Sequence, residues 1–248
     1  DENILKKIIS LIKIENRSVL EVGPGTGNLT SYILKCFPKK VLVIEKDREL
    51  VIYLKKKFKD KIKIINEDIL KIDEKNLEEE KLIVFGNLPY NISTEILCKW
   101  IQNLDKENFW FDYLILMFQK EVADRITSEF NSKNYGRLSI LANWKLEIKK
   151  ILNVKPSSFY PKPDIDSSVL LFKPKTNFFE FKDPKNLEKL TRTFFMHRRK
   201  MLKKPFHQLF RGNFNIAKKY NIDLNLRPQN LNFETYYRLT NEYEKLRD

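Results

Sequence analysis

The feature that most constrains this chain is an apolar run over residues 18–22 that stops in Gly23-Pro24-Gly25-Thr26-Gly27 and resumes as a helical pattern. Glycines on alternate positions let the backbone turn sharply and approach a ligand where a strand hands over to a helix. The same alternation then repeats. Strand-like runs at 41–45, 62–65, 82–85 and 113–118 are separated by helical patterns at 29–36, 47–58, 93–102 and 119–129. Asp1, followed by Ile4, Leu5, Ile8, Ile9 and Ile12, reads as a capped amphipathic helix ahead of the first strand. Such a rhythm predicts an α/β fold, a parallel doubly wound sheet with helices on both faces. Two further strands, 144–154 and 168–173, flank a proline-rich loop at 156–163.

After Lys173 the strand pattern ceases, and 184–204, 214–220 and 233–246 read as helices. Pro174 and Pro184 bracket a linker, which places a first domain at 1–176 and a helical second domain at 177–248. Charge follows the same division. The chain carries 47 basic and 33 acidic side chains over 248 residues. Residues 174–248 hold 17 basic against 8 acidic, so most of the excess lies in the last third. A polyanion is the implied partner, nucleic acid before a membrane surface; a general lysine bias is the plainer explanation.

Several classes are excluded or disfavoured. No apolar run approaches the roughly 20 residues needed to span a bilayer. Cys36 and Cys98 fit neither a metal pattern nor a disulfide scaffold, and imply a reducing, cytoplasmic setting. With only His197 and His207, a histidine zinc site or a serine-protease-like triad has too few members, and no metal is expected. The chain begins at Asp1 rather than Met, so a preceding segment is expected.

Four further segments carry chemistry. Glu45 closes the second strand, where a carboxylate can accept hydrogen bonds from both hydroxyls of a ribose; the alternative is a solvated strand end. Asp68, in Asn66-Glu67-Asp68-Ile69, follows the third strand beside the same crevice and can accept from an adenine amino group, or be a turn residue. Gly86-Asn87-Leu88-Pro89-Tyr90-Asn91 follows the fourth strand. The exocyclic amine of a base is a poor nucleophile because its lone pair is delocalised into the ring. Acceptors for its hydrogens, the Asn87 side-chain oxygen and a backbone carbonyl at Leu88 or Pro89, favour a pyramidal nitrogen. Pro89 stiffens the turn, and Tyr90 offers a face on which an extruded base can stack. In Ser158-Phe159-Tyr160-Pro161-Lys162-Pro163, Phe159 is the candidate second wall for that base, with Tyr160 as the alternative. Finally, Leu187, Leu190, Phe194 and Met201 mark one stripe of the 184–204 helix. Arg198, Arg199, Lys200, Lys203 and Lys204 occupy much of the remainder and suit phosphate contacts, or simply a solvated face.

Together these residues resemble the rRNA adenine dimethyltransferase family, in particular its small-subunit type. The resemblance runs through VLEVGPGTGNLT at 19–30, VIEKD at 43–47, NEDIL at 66–70 and GNLPYNIST at 86–94. It continues through LMFQKEVADRI at 116–126, YGRLSI at 135–140, SSFYPKPDIDSSV at 157–169 and FFMHRRKML at 194–202. It implies a Rossmann-like class I methyltransferase sheet with a small all-helical C-terminal domain, and S-adenosylmethionine as cofactor. Gly23, Gly25, Gly27, Glu45, Asp68 and Asn87 would bind that cofactor, and Asn87 to Tyr90 with Phe159 would hold the adenine. The implied reaction dimethylates two adjacent adenosines of a small-subunit rRNA hairpin within a pre-ribosomal particle, by a monomer. The family also carries a Gln-Asn-Phe-Leu-type segment before its first helix, which these residues lack. The sibling erythromycin-resistance type acts on large-subunit rRNA; 119–123 and 198–200 look more like the small-subunit enzyme. A pure subunit-assembly factor would not need the Asn87–Tyr90 turn. A DNA adenine methyltransferase would be expected to carry an Asp-Pro-Pro-Tyr-like site in its place.

Overall fold

The computed structural model describes residues 2–106, 109–158, 164–196 and 198–247. The chain packs as two units. The first comprises Asp1–Ala123 and Glu147–Pro174, the second Asp124–Leu146 and Lys175–Asp248.

The first unit opens with α1 (Glu2–Ile9), followed by β1 (Ser18–Val22), α2 (Asn28–Leu34), β2 (Lys40–Ile44) and α3 (Arg48–Phe58). Next come β3 (Lys63–Ile65), β4 (Leu82–Asn87), α4 (Ser93–Asn103) and β5 (Phe111–Gln119), and α5 (Lys120–Ile126) leads out of the unit. After α6 (Arg137–Lys145), the chain re-enters the sheet as β6 (Leu146–Val154) and β7 (Ser167–Pro174). The seven strands lie in the order β3-β2-β1-β4-β5-β7-β6. Pairing is parallel from β3 to β5, and β7 runs antiparallel to β5. The doubly wound expectation therefore holds for the first five strands, and the sheet as a whole is mixed.

Both faces of the sheet are covered, which is why its central strands read as unbroken apolar runs. Val19, Val43 and Phe85 on one side and Leu20, Leu42 and Val84 on the other are all fully buried. Helix α3 is capped by Asp47, whose carboxylate accepts from the backbone amides of Glu49 and Leu50. The polar partner required at an N-terminus thus lies two residues beyond Glu45.

The second unit is helical, with α6, α7 (Lys185–Met196), α8 (Lys203–Phe210), α9 (Asn215–Lys219) and α10 (Phe233–Lys245). Its core is aromatic. The Phe194 ring meets Phe206 and Tyr236 edge-on at centroid distances of 5.9 and 5.6 Å. Tyr135 donates to the Leu231 carbonyl and Tyr237 to that of Ile140, at 2.8 and 2.9 Å. These bonds tie 135–145 to α10 and to Leu231 just ahead of it, so the grouping differs from a single boundary after 176: residues 124–146 join the helical unit.

Two expectations are corrected. The strand expected over 144–154 begins only at Leu146, because Trp144 and Lys145 close helix α6, in which Leu138 to Ala142, Trp144 and Lys145 are all buried and leave no amphipathic period. The helix expected over 184–204 breaks after Met196 and restarts at Lys203. Pro205 bars a helix from running unbroken through 201–205, so a new one has to start there. Its ring would clash with the carbonyl four residues back in a continuous helix, whereas it is tolerated in the first turn of a new one. Met201 consequently leaves the buried stripe of Leu187, Leu190 and Phe194 and is 57% exposed.

Candidate active site at the carboxyl ends of the strands

In an open parallel sheet, ligands bind beyond the carboxyl ends of the strands, and the residues singled out from the sequence gather there. The β1 turn begins where Gly23 N–H donates to Ile44 O at 3.0 Å, and β2 ends where Glu45 N–H donates to Ile65 O at 3.1 Å. Gly23 has φ +69, and a side chain on it would come within 3.5 Å of the Asn87 carbonyl oxygen at the end of β4. Gly27, at φ +74, admits no side chain because one would strike the Phe58 ring and Leu54. Gly25 differs: a methyl group added there would meet no heavy atom within 4 Å. The turn is therefore locked at its two ends and faces open space at its middle.

Glu45 lies over this opening. Its Oε1 accepts the Asp47 amide at 2.9 Å, and its Oε2 is 3.4 Å from the Gly25 amide nitrogen, which donates to it. Asn66 fastens the strand end from outside, donating through Nδ2 to the carbonyls of Glu45 and Lys46 at 2.9 and 3.2 Å. Asp68 accepts from Leu70 N–H at 3.1 Å and from Lys46 Nζ at 2.7 Å. The Lys46 ammonium holds the Asp68 carboxyl below its usual range, with the Leu70 amide assisting.

Glu21, in the VLEVGPGTGNLT stretch at 19–30, is a further carboxylate near Glu45, and no local pattern marks it with a role. It is buried mid-strand in β1, and Thr30 Oγ1 donates to its Oε2 at 2.6 Å. Burial pushes its pKa up to about 7; the Thr30 bond opposes this, and the nearby Glu45 charge adds to the rise. The signal for it is a carboxylate flanked on both sides by the apolar residues Val19, Leu20 and Val22 of its strand.

At the end of β4 the side chains alternate in exposure. Asn87 is exposed, Leu88 is buried, Pro89 is exposed and Tyr90 is half-buried. Leu88 packs tightly enough that a side chain on Gly86 would approach it to 2.9 Å, which pins the turn. The Pro89 carbonyl accepts Ile92 N–H at 3.1 Å, and the Tyr90 carbonyl accepts the Ser93 hydroxyl at 3.1 Å. The Tyr90 hydroxyl is 2.6 Å from Ser167 Oγ on β7. No pattern in the sequence pointed to Ser167 as its partner, because the two are distant along the chain. Phe159 and Tyr160 lie outside the described residues.

The basic residues assigned to phosphate contact fall on the α7–α8 connection and the start of α8. Arg198 donates through Nη2 to the Lys133 carbonyl, so its guanidinium is partly engaged. Arg199, Lys200, Lys203 and Lys204 are exposed and line a cavity of about 740 Å³. Among the described residues, no group of three or more His, Cys, Asp or Glu side chains is arranged to hold a metal ion. No helix there is long and apolar enough to cross a membrane.

A family model described as ribosomal RNA adenine dimethylase matches residues 1–245. The chain is 65% identical over 247 residues to the ribosomal RNA small subunit methyltransferase A of Pelagibacter ubique, covering 100% of this chain and 94% of that protein. It is 41% identical over 247 residues to the protein of the same name from a Wolbachia species, covering 98% and 89% respectively. Among solved structures, a dimethyladenosine transferase from Plasmodium falciparum matches with a TM-score of 0.81 at 28% identity, over 99% of this chain and 96% of that one. The 23S rRNA methyltransferase ErmE matches with a TM-score of 0.71 at 19% identity over 98% of each chain, a likeness of fold.

Proposed function

Because the chain belongs to the ribosomal RNA adenine dimethylase family, we propose that it dimethylates two adjacent adenosines of small-subunit rRNA, using S-adenosylmethionine and the residues at the carboxyl ends of β1 to β4. The observation that carries this reading is the closeness of the β1 glycine turn and the exposed Asn87, whose carbonyl oxygen would lie 3.5 Å from a Cβ placed on Gly23. A donor lying over the turn would be next to a base held at Asn87.

The residues present fit that donor. Open space over Gly25 admits its amino-acid end, and Glu45 offers carboxylate oxygens to ribose hydroxyls. Asp68 offers an acceptor to the adenine amine once Lys46 yields it. When bound, S-adenosylmethionine supplies an electrophilic methyl group on a sulfonium sulfur. The protein's share is to make the target amine a better nucleophile and aim it. The Asn87 side-chain oxygen accepts one amine hydrogen. With the Pro89 carbonyl committed to Ile92, the Leu88 carbonyl is the backbone acceptor we assign to the other. Two such bonds favour a pyramidal nitrogen whose lone pair points at the methyl carbon. Tyr90 stacks against the extruded base, and Phe159 is assigned to its opposite face. No general base is needed, because the alkylated nitrogen is cationic and acidic and gives up its proton to water. The first unit thus binds the cofactor. The basic helical unit contacts rRNA backbone through Arg199, Lys200, Lys203 and Lys204, with Arg198 helping to hold their segment. The setting is a pre-ribosomal particle in the cytoplasm, with the protein acting as a monomer.

The test is transfer of labelled methyl from S-adenosylmethionine to purified small ribosomal subunits lacking adenine dimethylation, with large subunits and DNA alongside. Label confined to small subunits, and lost by Asn87→Ala, supports the reading. Label in large subunits would assign the activity of the resistance-type enzymes. Binding without transfer would assign an assembly role.

A further inference from the structure

The cavity at the start of α8 has a composition that phosphate contact alone does not explain. Five cations line it, Arg199, Lys200, Lys203, Lys204 and Arg227, and no carboxylate does so among the described residues. Between them lies an aromatic and apolar wall. Phe214 and His207 present rings whose centroids are 6.4 Å apart at 44°. Met201, also in the lining, is 57% exposed. Exposed apolar surface of this kind inside a ring of like charges calls for a ligand with a flat apolar face and anionic edges.

The wall is built by the backbone. Helix α8 ends on Arg211 in the left-handed region, and Gly212 at φ +79 returns its N–H to the His207 carbonyl at 3.2 Å. This reversal brings Phe214 back to His207. On the opposite side, Leu202 N–H donates to Leu226 O at 2.8 Å and Lys203 N–H to Leu224 O at 3.2 Å. These bonds clamp the 223–227 segment, and with it Arg227, across the helix start. They also engage the Leu202 and Lys203 amides, so the anion-binding groups of the cavity are its side-chain cations.

We propose that this cavity seats one unstacked nucleotide of single-stranded RNA, its base against Phe214 and its flanking phosphates on Lys203, Lys204 and Arg227. The proposal rests on the reading of the helical unit as an rRNA-binding surface and gives that surface a base-holding site separate from Asn87–Tyr90. A volume of about 740 Å³ falls within the several hundred cubic ångströms of ordinary ligand pockets. An aromatic platform with a cationic border is how single strands are held without sequence preference.

The experiment measures binding of the full chain to a short single-stranded oligoadenylate and to a duplex RNA of equal length, as a function of salt. Phe214→Ala should weaken single-strand binding about tenfold, as expected for loss of one base–aromatic stack, and leave duplex binding unchanged. Phe214→Tyr should restore it. Met201→Ala, a change at an exposed side chain, should weaken single-strand binding about threefold and spare the duplex, which keeps the test open should Phe214→Ala unfold. A Lys203→Gln, Lys204→Gln double variant should weaken both RNAs and reduce the salt slope by roughly two. Single-strand binding unchanged in folded Phe214→Ala and in Met201→Ala would overturn the nucleotide seat while leaving the phosphate surface intact. Failure of the wild-type chain to bind either RNA would overturn both readings. Adenosine monophosphate competing as well as the oligonucleotide would assign a free nucleotide in place of RNA.

Discussion

The hydroxyl of Tyr90 and Oγ of Ser167 are 2.6 Å apart, which ties the turn after β4 to the first residue of β7. A ring anchored at its hydroxyl is held in place, so on the proposed reading, in which Tyr90 stacks on the base, Ser167 is its positioning residue. One hydrogen bond of this kind contributes about 1 kcal/mol. We therefore expect Ser167→Ala and Tyr90→Phe each to lower kcat by roughly fivefold, with the dissociation constant for S-adenosylmethionine unchanged. Since both remove the same bond, the double variant should lose no more than either alone. Additive losses in single-turnover methylation would show that the two hydroxyls act independently.

Glu45 and Asp68, the two carboxylates we assign to the donor, differ in freedom. Both Glu45 oxygens already meet backbone amides, Asp47 at 2.9 Å and Gly25 at 3.4 Å, so the carboxylate is oriented before any ligand arrives. Hydrogen bonds to charged groups are worth about 1.5–3 kcal/mol each. Glu45→Ala should thus weaken S-adenosylmethionine binding by at least the roughly 10- to 100-fold that one such bond is worth, read by calorimetry. On the proposed reading Asp68 exchanges Lys46 for the adenine amine; Lys46 is largely exposed. Asp68→Ala should cost less than Glu45→Ala, and Lys46→Met should not weaken binding at all. A large loss in Lys46→Met would instead make the lysine a contact of the donor.

The strand ends were legible because buried parallel strands write themselves as continuous apolar runs, and each is followed by its polar or glycine turn. Glu45, Asp68 and Asn87 were readable as positions for that reason. What the sequence hid was hidden by burial or by distance. Helix α6 has Leu138 to Ala142 buried on every side, so it shows no period. Ser167 meets Tyr90 only because β7 inserts antiparallel to β5, a pairing that no local pattern encodes. The break at Pro205 was visible in principle. Helix-forming lysines and arginines on both sides masked it, and with it the turn that exposes Met201.

Beyond Asp68 the chain is fastened by a buried network. The Glu74 Oε1 atom accepts Lys99 Nζ and Trp100 Nε1, each at 2.7 Å. Lys99 also donates to the carbonyls of Ile69 and Ile72. Glu74→Ala leaves the Trp100 N–H without its partner and strips the ammonium of its counter-charge. Breaking such a pair from one side costs about 3 kcal/mol, or roughly 6–12 °C in Tm for a chain of this size. The 69–76 segment follows Asp68 directly, so S-adenosylmethionine affinity should fall as well. Glu74→Gln, which keeps an acceptor, should recover part of both. An unchanged Tm in Glu74→Ala would mean that the network adds nothing to stability.

Glu21 gives the fold a pH dependence of definite sign. Its pKa rises from 4.5 to about 7 in the folded chain, chiefly through burial. The folded state therefore holds a proton that the unfolded state has released between these values. Stability must fall as pH rises through this window and then level off above it. The shift of two to three pH units corresponds to about 3 kcal/mol. Glutamine matches the protonated acid in shape and still accepts from Thr30. Glu21→Gln should accordingly match the parent chain near pH 4.5 and exceed it by about 3 kcal/mol at pH 7.5 and above. Thermal unfolding of the two chains across that range measures the gap directly. A difference independent of pH would place the titration elsewhere, and a less stable variant at pH 8 would mean that the ionised carboxylate is favoured by its surroundings despite its burial.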